Sequence, residues 1–129
     1  MWPQALTPVR RQVLYEDMRR YAALTHDPNP IHLDHAYARN APFGGVIAHG
    51  TFSLNLIWQA VRLSLGPLEK LRFSLDIRFL GPVREWDWIS AGGAIEAQSG
   101  YEARYSVWVE KKANDRAIDG TLTVRLRRP

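Results

Sequence analysis

Residues 51–65, TFSLNLIWQAVRLSL, constrain this chain more than any other stretch. Phe52, Leu54, Leu56, Ile57, Trp58, Ala60, Val61, Leu63 and Leu65 would lie nearly all round a helix. Gly50 opens that helix and Gly66-Pro67 closes it. A helix so apolar needs neighbours on most of its sides, and the C-terminal half of the chain reads as strands that could supply them. Leu71, Phe73, Leu75, Ile77 and Phe79 alternate with Arg72, Ser74, Asp76 and Arg78. Gly81-Pro82 makes a turn, and Trp86 to Ala97 gives the next strand, with Gly92-Gly93 suggesting a bulge. Tyr101 to Glu110 alternates again; Asn114-Asp115 turns the chain into a last strand carrying Ile118, Gly120, Leu122, Val124 and Leu126. Pro8 to Leu14 suits a short first strand. These elements predict one α+β domain over residues 1–129, an antiparallel sheet wrapped around one long central helix. Such a sheet leaves an edge strand and apolar positions open. Pairing across a two-fold axis would cover them, so a homodimer or higher homo-oligomer is expected.

Composition excludes whole classes of chemistry. The chain has no cysteine, which rules out disulfides, thiol catalysis and thiolate metal sites, and fits a reducing cytoplasm. The net charge is +4, but the basic residues are scattered pairs such as Arg10-Arg11, Arg19-Arg20 and Lys111-Lys112. No stripe of them interleaves with aromatics, so no nucleic-acid partner is expected; the pairs read first as a solvated surface, with attraction of a phosphate-rich ligand the sharper alternative. The opening MWPQALTPVRR has no apolar signal core, and no segment is long enough to span a bilayer. The expectation is a cytoplasmic protein without a membrane partner.

Polar chemistry gathers in residues 21–50, YAALTHDPNPIHLDHAYARNAPFGGVIAHG. Asp27, Asn29, His32 and His49 lie there with three prolines and three glycines, which fix backbone directions. A helix starting at Tyr15 puts Leu14, Met18, Tyr21, Ala22 and Thr25 on one face, and Pro28 stops it near His26-Asp27. Asp27 to Pro30 is then a rigid turn, and Ile31 to Arg39 one or two turns of helix with His32 at its beginning. A carboxylate and an imidazole folded back across that turn can hold and activate one water. Taken singly, Asp27 reads first as a cap of the following short helix and His32 as a hydrogen-bonded core histidine; the two prolines that lock the spacer weaken that reading without removing it. Gly50 also has two readings: a free N–H at a helix start that polarises a carbonyl, or a small residue at a close approach.

The run Tyr21 to His32, with its Asp27-Pro28-Asn29-Pro30-Ile31-His32 core and Ala38 beyond, resembles the hydratase motif of MaoC-like dehydratases, a group that includes the R-specific enoyl-CoA hydratases. Phe43 to Gly50, FGGVIAHG, is similar to that family's second signature. The resemblance implies a hot dog fold, usually paired into dimers. It implies reversible hydration of trans-2-enoyl thioesters to (3R)-hydroxyacyl thioesters, carried by acyl-CoA or acyl-ACP. Asp27 and His32 would be catalytic, Gly50 the oxyanion donor, and Asn29, His49 and Phe43 further substrate-binding residues. No cofactor and no metal is required.

Two positions depart from the family pattern. His26 stands where a small residue is usual before the aspartate. Trp58 falls where some members carry a small hydroxyl residue, with Ser53 and Asn55 the nearby polar groups; its indole in the acyl pocket would favour short chains. The rivals are a thioesterase, disfavoured because residues 51–65 hold no Asp or Glu, and a silent acyl-thioester-binding subunit, disfavoured because both Asp27 and His32 are kept. A metal site of His26, His32, His35 and His49 has no need to exist, since the rigid turn is explained without it.

Overall fold

The computed structural model describes residues 2–128. Five strands, β1 (Ala5–Gln12), β2 (Leu71–Phe79), β3 (Trp88–Gln98), β4 (Glu102–Lys112) and β5 (Asp115–Leu126), form one antiparallel sheet in the order β1-β3-β4-β5-β2. Three α-helices, α1 (Tyr15–Thr25), α2 (His35–Arg39) and α3 (Gly50–Leu65), lie in the connection between β1 and β2. The α+β expectation of a sheet around one long helix is met.

Period-two patterning puts Ala103, Tyr105, Val107 and Val109 of β4 and Ile118, Leu122 and Val124 of β5 on the inner face, where all are buried. They meet Phe52, Leu56, Ile57, Ala60 and Val61 of α3 in one core. Thr51, Asn55, Gln59, Arg62 and Leu63 stay exposed, so α3 is covered on fewer sides than its composition suggested. Phe73, Leu75 and Ile77 of the edge strand β2 are only half-buried, in contrast to their counterparts at the sheet centre.

Two details of the strands differ from expectation. Gly92 and Gly93 pair in regular register with Trp108 and Val107, and the bulge instead falls at Glu96, between the pairs Ile95–Tyr105 and Ala97–Arg104. Their glycine character serves close packing: a Cβ would stand 3.0 Å from the Trp108 indole at Gly92 and 2.8 Å from the Leu6 side chain at Gly93. The first strand runs Ala5–Gln12 instead of Pro8 to Leu14, with a register shift between Leu6 and Val9, where Pro8 has no N–H to give the ladder.

Candidate active site

The first helix ends because His26 turns left-handed, with φ of 55°, and its N–H closes on the Ala22 carbonyl. Its side chain is exposed. Asp27 comes next, donating its own N–H to the Ala22 carbonyl at 3.0 Å. The next caps fall elsewhere. Asn29 Oδ1 accepts from the Ile31 N–H at 3.0 Å and starts a single 3-10 turn, Pro30–His32. Asp34 accepts from the Tyr37 N–H at 3.0 Å and starts α2. His32 therefore ends a short turn instead of opening a longer helix. The Asp27 carboxylate, with 53% of its side chain exposed, has among the described residues only a long 3.4 Å contact from the Asn29 N–H and a looser one, 3.9 Å, to His49 Nε2. Capping is not its occupation.

His32 Nδ1 lies 2.7 Å from the Ile47 carbonyl, which can only accept, so Nδ1 carries the proton and Nε2 is left with a lone pair. Burial holds the His32 pKa below its ordinary value; the Ile47 carbonyl opposes this, His49 adds to it, and the Asp27 carboxylate opposes it. The neutral ring is the favoured form.

Ile47 lies on a connection with little regular structure, and it is fixed from outside. The Ala48 N–H donates to the Val83 carbonyl at 2.7 Å, the Ile47 N–H to the Ile31 carbonyl at 3.2 Å, and the Glu85 N–H to the Val46 carbonyl at 3.3 Å. The Arg84 guanidinium donates to the Phe43 carbonyl, and His35 pairs with Glu85 at 2.8 Å. Neither Arg84 nor Glu85 is recognisable as a site residue from sequence, because their partners lie some forty to fifty positions away.

At the start of α3, the Phe52 and Ser53 N–H groups both reach back to the His49 carbonyl, leaving those of Gly50 and Thr51 without intrahelical partners. A Cβ at Gly50 would stand 2.7 Å from the Phe79 ring. The buried His49 ring stacks on His32 at 3.8 Å between centroids, with 25° between planes, and Tyr21 meets it edge-on at 5.1 Å. The Tyr21 hydroxyl donates to Thr51 Oγ1 at 2.8 Å, a contact for which the sequence carried no signal.

Polar atoms of Asp27, His32 and His49 thus lie within 4.8 Å of one another. That spacing suits one small molecule held by several groups. It suits a cation poorly, since His49 Nε2 lies 3.1 Å from the Asp27 carbonyl, which fixes the proton on that nitrogen and leaves it no lone pair to give. Two hollows open on residues next to the cluster in the chain or packed on it, Ile47 and Gly50 in one and Tyr21 in the other. One, about 410 Å³, is lined by Phe43, Ile47, Gly50, Ser53, Phe79 and Ile118. The other, about 400 Å³, is lined by Tyr21, Leu24, Asn55, Trp58, Arg62 and Leu68. Trp58 there packs edge-on against Phe73, 5.8 Å between centroids.

With this geometry in view, a family model described as a MaoC like domain matches residues 4–117. A 3-hydroxybutyryl-CoA dehydratase of Methylorubrum extorquens is 33% identical over 79 residues, 61% of this chain and 50% of that protein. The chain spans about half the length of the curated relative it matches. The unliganded R-hydratase PhaJ1 from Pseudomonas aeruginosa superposes with a TM-score of 0.82 at 26% identity, over 100% of this chain and 83% of that one. An (R)-hydratase from A. caviae involved in PHA biosynthesis gives 0.85 at 23% identity, over 98% and 97%, a likeness of fold.

Proposed function

Because the chain belongs to the MaoC-like domain family, with its hot dog fold, we propose that it is a hydro-lyase adding water reversibly to trans-2-enoyl thioesters, giving (3R)-hydroxyacyl thioesters. The observation that carries this reading is the meeting of Asp27 and a neutral His32, with the Gly50 N–H left without an intrahelical partner at the start of α3. Both side chains present acceptors, so a water between them donates to each. As its oxygen bonds to C3, one of the pair takes the water's proton and C2 receives a proton from the pair. The enolate oxygen formed between these events is held by the Gly50 N–H at the positive end of α3. Asn29 and Phe43 border the substrate, and the thioester carrier is coenzyme A or an acyl carrier protein.

A panel of enoyl-CoA substrates, monitored by loss of enoyl-thioester absorbance, tests the reading. Folded protein that hydrates none of them overturns it. In the same panel Trp58→Ala should raise activity on longer chains relative to crotonyl-CoA, because the indole occupies space an acyl chain would use. An unchanged ratio removes Trp58 from the pocket.

The pH dependence is set by His32. Its neutral form is the reactive one, and its pKa lies below the ordinary histidine value of about 6.5. Activity should be retained as pH falls through that ordinary value and be lost only lower, as the ring protonates. A kcat/KM profile whose acid limb lies at or above the ordinary value contradicts this.

We also propose a homodimer paired along β2. Among the described residues this edge strand has no neighbour on its outer side, its inner residues are half-buried, and Phe79 at its end and Leu80 just beyond it are 58% and 48% exposed. Sedimentation should give a dimer at micromolar concentration; a stable monomer refutes it.

A further inference from the structure

We propose that His49 is a positioning residue of the reaction, tying the Asp27 main chain to the start of α3 and bracing the His32 ring face-on. This rests on the hydratase reading of the site. His49 is 3% exposed, and its Nε2 lies 3.1 Å from the Asp27 carbonyl. A carbonyl only accepts, so the proton is on Nε2 and the ring is the Nε2–H tautomer. Nδ1 is then a bare lone pair, and it is buried without any hydrogen-bond partner among the described residues. An orphaned acceptor of that kind opposes folding. A phenyl ring would fill the same space with no such penalty. What the imidazole adds is one N–H, and that N–H is directed at Asp27.

Asp27 has little else to hold it. Residues 23–30 are all exposed, and among the described residues His49 is the only partner of the Asp27 carbonyl. On its other side the His49 ring lies flat against His32 and edge-on to Tyr21, so it cannot swing. Its own main chain begins α3 next to Gly50. One residue therefore sets four distances at once: carboxylate to imidazole, each of these to the oxyanion N–H, and the turn to the helix.

The experiment compares wild type, His49→Phe and His49→Gln, with melting curves and circular dichroism as folding controls. His49→Phe keeps a ring but has no donor; crotonyl-CoA hydration should lose about 10–100-fold in kcat with KM changed less than about threefold, the cost of a misplaced catalytic group. His49→Gln restores an N–H of similar reach and should recover at least about fivefold of that loss. A merely structural role would lower the melting temperature and leave kcat per folded molecule unchanged. An active wild type whose folded His49→Phe variant turns over equally fast overturns the proposal. A wild type inactive on all enoyl thioesters instead marks failure of the hydratase reading. Long-range ¹⁵N–¹H NMR of the wild-type ring is independent of both variants and of turnover. It should report the Nε2–H tautomer, and an Nδ1–H tautomer overturns the clamp even if His49→Phe fails to fold.

Discussion

Asp27→Asn and His32→Ala should each slow crotonyl-CoA hydration about 10²–10⁴-fold, and the double variant should be little slower than the worse single. The non-additivity comes from geometry. Both groups face one small volume, and a water held by a single acceptor is neither oriented for attack nor relieved of its proton. Asp27→Asn preserves shape while removing the base; the turn around it stays capped by Asn29 and Asp34. His32→Ala gives up the bond to the Ile47 carbonyl, so folding controls matter more there. Circular dichroism should match wild type for Asp27→Asn. Folded single variants with wild-type turnover would remove the pair from the chemistry and favour a silent acyl-thioester-binding protein.

Gly120→Ala should lower stability by more than about 3 kcal/mol, with the melting temperature falling by roughly 10 °C or more. Gly120 sits on the inner face of β5 between Ile118 and Leu122, paired with Val107 on one side and Ile77 on the other. An added Cβ would run into the Asp76 carbonyl and stand 2.7 Å from the Ile77 Cα. Both are main-chain atoms, so no side-chain rotation relieves the contact and the edge strand must separate from β5. Urea unfolding monitored by fluorescence measures the loss. A stability within about 0.5 kcal/mol of wild type would show that the sheet curves away from this contact in solution.

Local patterns were legible wherever neighbouring residues decide the outcome. The central helix runs from Gly50 to Leu65, as its bracketing glycines and apolar run require, and β2 begins and ends where its alternation does. Gly92-Gly93 misled because a glycine pair has two uses, and only the positions of Trp108 and Leu6 decide between them. The segment after Pro30 misled because Asn29 and Asp34 each cap a turn, dividing what reads as one helix into two. The candidate pair was legible as residue types on a stiff turn. What no local pattern carries is the Ile47 carbonyl that selects the His32 tautomer, the His49 stack, and the Arg84 contact that steadies Phe43. Those are meetings of distant segments, decided by how the sheet closes on the helix.

The anchoring of Ile47 and Ala48 by residues 83–85 has a consequence for synthesis. A ribosome has made every candidate catalytic group by residue 50, and the whole of α3 by residue 65. Neither the Val83 carbonyl nor Arg84 yet exists at that point. Of the strands that α3 packs against, β1 is already made, but β3 and β4 emerge later still. Domains emerge N-terminal part first, at about 5–20 residues per second, so the nascent chain carries the candidate pair for several seconds before the outer anchors of Ile47 and Ala48 exist. A chain stalled before residue 83 therefore holds the candidate pair complete, with the outer support of Ile47 still unmade.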